Sequence, residues 1–223
     1  MTRGEGGGAK VTFLYLVRHG ETDWNRTHRV QGTTDIPLND TGRAQALRAG
    51  RLLARRNWDG IYSSPLSRAF ETANIIGTEL GLTGPLPVPE LAERNYGEAE
   101  GLTDREIARR YPGTTPVPGR ESREAVAARV IPALLTLAEG NPGRQLIVCS
   151  HGAVIRTLLM AVEAPIQRGV PITNGSIHSF RHIDGSLELI EFDDPIERAS
   201  VVEGEEDLDQ QNALEEREAK GVS

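Results

Sequence analysis

Val11-Thr-Phe-Leu-Tyr-Leu-Val17 runs directly into Arg18-His19-Gly20-Glu21-Thr22, and this junction decides the fold. Seven residues are too few for a helix. Their apolar, β-branched and aromatic character predicts a buried strand over Val11–Val17. Gly20 then permits a sharp turn and a close approach of backbone. Far along the chain Gln145–Cys149 (QLIVC) repeats the plan, ending at Ser150-His151-Gly152 and followed by a helix over Val154–Val162. If both strands are central and parallel, the two histidines meet at one edge of the sheet.

Between these junctions strands and helices alternate. Thr41–Arg56 places Ala44, Leu47, Leu52 and Leu53 near one helical face, with Asn39 or Thr41 as N-cap. Gly60–Ser63 reads as the next strand and Leu66–Leu80 as a Pro-started helix. The Gly- and Pro-punctuated Gly81–Pro89 reads as a loop leading to an extended stretch at Pro89–Leu91. Thr103–Tyr111 is a short helix stopped by Pro112, and Gly113–Arg120 an irregular loop. Ser122–Glu139 is a longer helix with an apolar stripe of Ala125, Val126, Val130 and Leu134, kinked or restarted at Pro132. Ser176–His182 and Leu187–Phe192, separated by Asp184-Gly185, predict a hairpin at the sheet edge. The order predicts an α/β fold: a three-layer α/β/α sandwich with a mostly parallel central sheet, binding its ligand beyond the carboxyl ends of the strands.

Charge divides the 223 residues unevenly. From Asp194 onward there are ten acids and three bases, whereas residues 1–193 hold 22 of each. A neutral body with an acidic extension argues against nucleic acid as partner, because phosphate-backbone affinity needs clustered Lys and Arg. It argues against a basic membrane-binding patch as well. No stretch approaches the ~18 consecutive apolar residues of a membrane span, and the start lacks the apolar segment of a signal peptide. Cys149 is the only cysteine, so no intramolecular disulfide or Cys-rich zinc site is available. A cytoplasmic protein follows, with residues 1–10 as a flexible Gly-rich arm, 11–193 as one domain and 194–223 as the acidic extension. That extension reads first as a solvated tail, with a frayed helix or a subunit-contacting arm of a homodimer as alternatives.

The chemistry-bearing residues are then two imidazoles, two guanidiniums and a carboxylate: His19, His151, Arg18, Arg68 and Glu93. Guanidinium forks match phosphate oxygens, and a neutral imidazole nitrogen can attack phosphorus without a metal-activated water. This set suits phosphoryl transfer through a phosphohistidine, with no metal and no cofactor. Each residue also has a plainer reading. Either His could be a hydrogen-bonded core residue, Arg68 could form a surface ion pair, Glu93 could pair with Arg94, and Asn25 could cap a loop.

Five ordered blocks resemble a known family: LVRHGETDWN (16–25), QGTTDIPLNDTGRAQA (31–46), YSSPLSRAFETA (62–73), LAERNYGEAEGLT (91–103) and SHGAVIRTLL (150–159). Together with Gly119-Arg120-Glu121-Ser122 they are similar to the histidine phosphatases, the superfamily that includes the cofactor-dependent phosphoglycerate mutases. The resemblance implies a phosphoglycerate mutase-like fold with His19 as nucleophile. Arg18, Arg68 and His151 would form a phosphate pocket completed by Asn25, the Gln31–Gly32 turn and Gly152. It makes Glu93 the group that protonates the leaving oxygen and then deprotonates water, and puts Arg94 and Tyr96 at the substrate mouth.

Water is the expected acceptor. Asp104 stands where the resembled mutases have a lysine, the insertion before Glu121 is short, and Ala153 replaces their asparagine. Arg105, Arg109 and Arg110 could nevertheless supply a second phosphate site, so a 2,3-bisphosphoglycerate-dependent mutase is the alternative. A non-catalytic phospho-ligand-binding domain ranks third. The expected substrate is a small phosphorylated metabolite, its mouth formed by residues 94–120 and 166–178. His28, His178 and His182 have no motif behind them, though His178 is a candidate to line the pocket, and Cys149 reads as a small core residue.

Overall fold

A computed structural model describes residues 10–166, 169–194 and 196. The N-terminal arm, apart from Lys10, and the acidic extension, apart from Asp194 and Ile196, lie outside the described residues. In chain order the elements are β1 (Thr12–Arg18), α1 (Asp23–Arg26), α2 (Asp40–Leu53), β2 (Gly60–Ser63), α3 (Ser67–Leu80) and β3 (Leu86–Pro87). Two single 3-10 turns follow at Pro89–Leu91 and Gly97–Ala99, then α4 (Asp104–Arg110), α5 (Arg123–Glu139), β4 (Gln145–Ser150), α6 (Gly152–Ala161), β5 (Ile177–Ile183) and β6 (Ser186–Glu191).

Among the described residues the strands form one mixed sheet in the order β3-β2-β4-β1-β5-β6. The first four are parallel, and β5 and β6 run antiparallel as the expected edge hairpin. Its turn residues Asp184 (φ 49°) and Gly185 (φ 78°) both take the left-handed conformation that a two-residue hairpin needs.

The period-2 alternation of the central strands sorts the helices into two layers. Leu14 and Leu16 of β1 and Leu146 and Val148 of β4 face α5 and α6, meeting Val126, Val130, Leu134, Ile155 and Leu158. Tyr15, Val17, Ile147 and Cys149 face α2 and α3, meeting Ala49, Leu53, Ala73 and Ile76. Each fully buried aliphatic side chain contributes about 1.5–3 kcal/mol by leaving water. Cys149 is therefore a core residue, and burial pushes its thiol pKa far up.

Several local expectations are corrected. Ala44 and Ala125 are exposed. The packed face of α2 runs through Gly42, Ala46, Ala49 and Gly50, small residues that let the Glu21 backbone approach at Gly42 and α3 approach at Gly50. A Cβ on Gly50 would lie 3.1 Å from that of Glu79. Pro132 does not restart α5, which runs through it with its ring exposed on one helix. Pro65 precedes α3 rather than opening it, since Leu66 is the N-cap. Pro89–Leu91 is a 3-10 turn instead of an extended stretch, and α6 starts two residues early, at Gly152.

The acidic extension begins with two packed residues. Asp194 accepts a 2.9 Å hydrogen bond from Ser179 Oγ, and Ile196 joins the core beside α2. Among the described residues no helix is long and apolar enough to cross a membrane.

Candidate active site

The sheet register brings the two quoted junctions together. β1 and β4 are adjacent and parallel with Arg18 opposite Ser150, and the His19 N–H donates to the Ser150 carbonyl at 3.0 Å. The rings of His19 and His151 consequently lie 5.2 Å apart, centre to centre, and both are buried.

Two contacts fix the tautomer of His19. Its Nδ1 lies 2.7 Å from the Gly20 carbonyl, which can only accept, so Nδ1 carries the proton. Its Nε2 faces Arg68 Nε at 3.3 Å, and a guanidinium can only donate, so Nε2 presents a lone pair. Burial, then the charges of Arg68 and Arg18, hold the pKa of this ring well below that of a free histidine. The result is a neutral imidazole at neutral pH. The loop behind it is held by contact: a Cβ on Gly20 would lie 2.2 Å from the Gly42 carbonyl, and the Gly20 N–H donates to Thr72 Oγ1 at 3.1 Å.

Arg68, in the first turn of α3, is fully buried. Its Nη1 and Nη2 donate to the carbonyls of Thr34 (3.0 Å) and Gly32 (2.7 Å), so the 31–35 turn aims the guanidinium. Burial lowers its pKa to about 10 against the opposing pull of Glu93 and Asp35, which leaves it cationic at neutral pH. Leu66 offers α3 no side-chain cap, and Asp35 supplies one from outside by accepting from Ser67 N–H at 2.8 Å. Arg18, at the end of β1, donates to the Ile172 carbonyl.

His151 caps α6, with Nε2 2.7 Å from Ser64 Oγ and Nδ1 buried without a protein partner. Burial, then Arg68, His19 and Arg18, push its pKa well down. Glu93 is fully buried. Its Oε1 accepts from Arg94 N–H at 2.8 Å and its Oε2 from Ala153 N–H in the first turn of α6 at 3.4 Å. The backbone that carries it is gripped by Arg129, whose guanidinium donates to the carbonyls of Glu90, Ala92 and Glu93 while pairing with Glu121 at 2.8 Å.

The remaining expected residues surround this set. Asn25 accepts from the Thr22 N–H and hydroxyl, both at 3.1 Å, in a capping box that holds its carboxamide in one orientation. Gln31 is buried with Oε1 unpartnered. Gly32 (φ 57°) leaves no room for a side chain, because a Cβ there would lie 2.0 Å from Glu100 Oε1. Gly152 opens α6. Arg94 and Tyr96 are both buried, the guanidinium 5.3 Å from the ring centre and bound to the Glu121 carbonyl.

Of the other histidines, His178 and His182 have partners of their own. His178 is satisfied at both nitrogens, by Ser176 Oγ and the Asp193 N–H, and burial, then the charges of Arg156 and Arg18, push its pKa down to about 3. His28 is exposed in a left-handed turn, and His182 sits 4.0 Å from Glu139.

Sequence reasoning missed Ser64, Glu100, Arg129 and Asn174. The Glu100 carboxylate accepts from the backbone and hydroxyls of Thr33 and Thr34 and from Tyr96 N–H at 3.0 Å, tying the turn that aims Arg68 to the segment after Glu93. Ser64 and Glu100 lie inside quoted blocks. Arg129 and Asn174 belong to none.

Comparisons with known proteins place the chain in a family. A family model described as histidine phosphatase superfamily (branch 1) matches residues 14–195. The chain is 38% identical over 185 residues to an uncharacterized phosphatase of Bacillus subtilis (strain 168), PhoE, covering 82% of this chain and 89% of that one. It is 32% identical over 207 residues to the 2,3-bisphosphoglycerate-dependent phosphoglycerate mutase of Cytophaga hutchinsonii, covering 86% and 92%. Among solved structures, a mycobacterial glucosyl-3-phosphoglycerate phosphatase complexed with VO3 superposes with a TM-score of 0.72 at 31% identity, covering 81% of this chain and 98% of that one.

Proposed function

The chain belongs to branch 1 of the histidine phosphatase superfamily, and on that premise we propose that it is a phosphomonoesterase that passes a phosphoryl group from a small metabolite to His19 and then to water. The observation that carries this reading is the tautomer of His19, with Nδ1–H spent on Gly20 and the Nε2 lone pair beside Arg68. In the first step that lone pair forms the N–P bond as the ester P–O bond breaks. Glu93 delivers a proton to the leaving oxygen. In the second step water attacks phosphorus, Glu93 takes the water's proton, and the N–P bond breaks to regenerate neutral His19. Arg18, Arg68 and the His151 ring stabilise charge on the transferring oxygens in both steps. Because they are already oriented, little reorganisation is needed.

Water as acceptor, in preference to a second phosphoglycerate position, has its own support. Arg105, Arg109 and Arg110 are exposed on α4, and Arg110 is paired with Glu98 at 2.7 Å. Ala153 packs in an apolar cluster with Val30, Tyr96, Ile107 and Val117. A cytoplasmic setting belongs to the same reading.

The test is phosphate release from a panel of phosphomonoesters in EDTA by wild type and His19→Ala, with interconversion of 2- and 3-phosphoglycerate followed in parallel. Fast release that depends on His19, with little isomerisation, is expected. Rapid isomerisation with little free phosphate would make the chain a mutase.

A further inference from the structure

The segment Ile172–Ser176, which carries no recognisable motif, touches three of the pocket residues. The Ile172 carbonyl accepts from Arg18 Nη1, and Arg18 exchanges backbone hydrogen bonds with Gly175 and Ser176. Between these contacts stands Asn174, only 6% exposed. Its Nδ2 donates to the carbonyl of His19 at 2.9 Å and lies 3.5 Å from Asn25 Oδ1. Its Oδ1 is buried with no donor in the protein. The amide cannot turn over, because its oxygen would then face the His19 carbonyl.

This placement joins the nucleophile to the far side of the phosphate pocket. Asn25 Oδ1 accepts from Thr22 and from Asn174, so its own Nδ2 is the end left for a ligand. An asparagine kept only for packing would have both ends satisfied, whereas leaving a buried acceptor unmatched is unfavourable. We infer that Asn174 is a positioning residue for phosphoryl transfer: it locks the His19 backbone and the Asn25 carboxamide into one register, so that nucleophile and phosphate donor are set together. The inference rests on the proposed phosphatase reading.

The experiment compares wild type, Asn174→Ala, Asn174→Asp, Asn25→Ala and the Asn25→Ala/Asn174→Ala double variant. The readouts are kcat and KM for p-nitrophenyl phosphate, orthophosphate binding by calorimetry, and thermal unfolding. Asn174→Ala should lower kcat by about ten- to a hundredfold, the scale of a small misplacement of reacting groups. Asn174→Asp keeps the shape but loses the donor and points a carboxylate oxygen at two acceptors. It should lose at least as much kcat as the alanine variant at a temperature where thermal unfolding shows both variants folded, even though the buried carboxylate lowers its unfolding temperature. The double variant should fall short of the product of the single losses, because both substitutions break one coupled unit. Wild-type kcat in Asn174→Asp, or losses that multiply fully, would overturn the inference. Should wild type release no phosphate, the phosphatase reading fails by itself. The role of Asn174 is then decided by orthophosphate binding, which the inference requires to weaken in both Asn174 variants and which would refute it if unchanged.

Discussion

Arg68 Nε lies 3.3 Å from His19 Nε2, so a cation in contact with the reacting nitrogen also reports which form of the imidazole is present. The contact exists because the 31–35 turn holds the other two guanidinium nitrogens through the Gly32 and Thr34 carbonyls.

Replacing Arg68 by Lys keeps a charge but loses the planar fork that fits both carbonyls and phosphate oxygens. kcat/KM for p-nitrophenyl phosphate should fall by about a hundredfold or more, the loss typical of one oriented donor. A lysine variant within a few-fold of wild type would show that charge alone suffices.

Glu93 should matter in proportion to how much help the leaving oxygen needs. Glu93→Gln is expected to slow hydrolysis of an alkyl phosphate far more than that of p-nitrophenyl phosphate, whose leaving group departs unaided. Equal losses on the two substrates in steady-state assays would remove Glu93 from the role of acid.

Glu100 holds two segments with one carboxylate. Glu100→Ala strands the part-buried Thr34 and Tyr96 amide donors and leaves the exposed Thr33 amide to water. It should cost about 1–3 kcal/mol in urea unfolding and also lower kcat, since the turn that aims Arg68 loosens. Unchanged kcat with lower stability would confine Glu100 to the scaffold.

Stability should fall as pH drops below neutrality. His19 and His151 have pKa values pushed well down, and His178 sits at about 3, whereas an unfolded histidine titrates near 6.5. Between those values the unfolded chain binds protons that the folded chain refuses. Each such histidine therefore removes about 1.4 kcal/mol per pH unit below ~6.5, and the contribution is fully present above it. Urea midpoints measured from pH 8 to pH 5 should be level at first and then decline; a midpoint that rises towards pH 5 would contradict the burial of neutral rings.

Much of this was legible in the sequence because strand alternation and strand-end position are local properties. VTFLYLV and QLIVC announce buried strands, and residues that follow such strands must gather at one sheet edge, which located Arg18, His19 and His151. Helix faces were harder. Ala44 and Ala125 fit an apolar stripe by spacing yet are exposed, and on α2 the close approach of the Glu21 backbone at Gly42 and of α3 at Gly50 selects small residues as the packed positions. Proline was ambiguous at Pro89, where a fixed φ suits a 3-10 turn as well as an extended strand.

The supporting residues were hidden for a different reason. Arg129, Glu100 and Asn174 act on backbone carbonyls and amides of loops distant in sequence. No local pattern encodes which loop will lie beside them.

The most direct measurement is to trap the phosphoenzyme. Wild type and His19→Ala are mixed with a phosphomonoester in EDTA, quenched in alkali to protect an acid-labile N–P bond, digested and examined by mass spectrometry. The expected result is one phosphoryl group on the His19 peptide of wild type and none in the variant, which should fold yet turn nothing over. A phosphoryl group on another residue, or normal turnover by His19→Ala, would contradict the role assigned to His19.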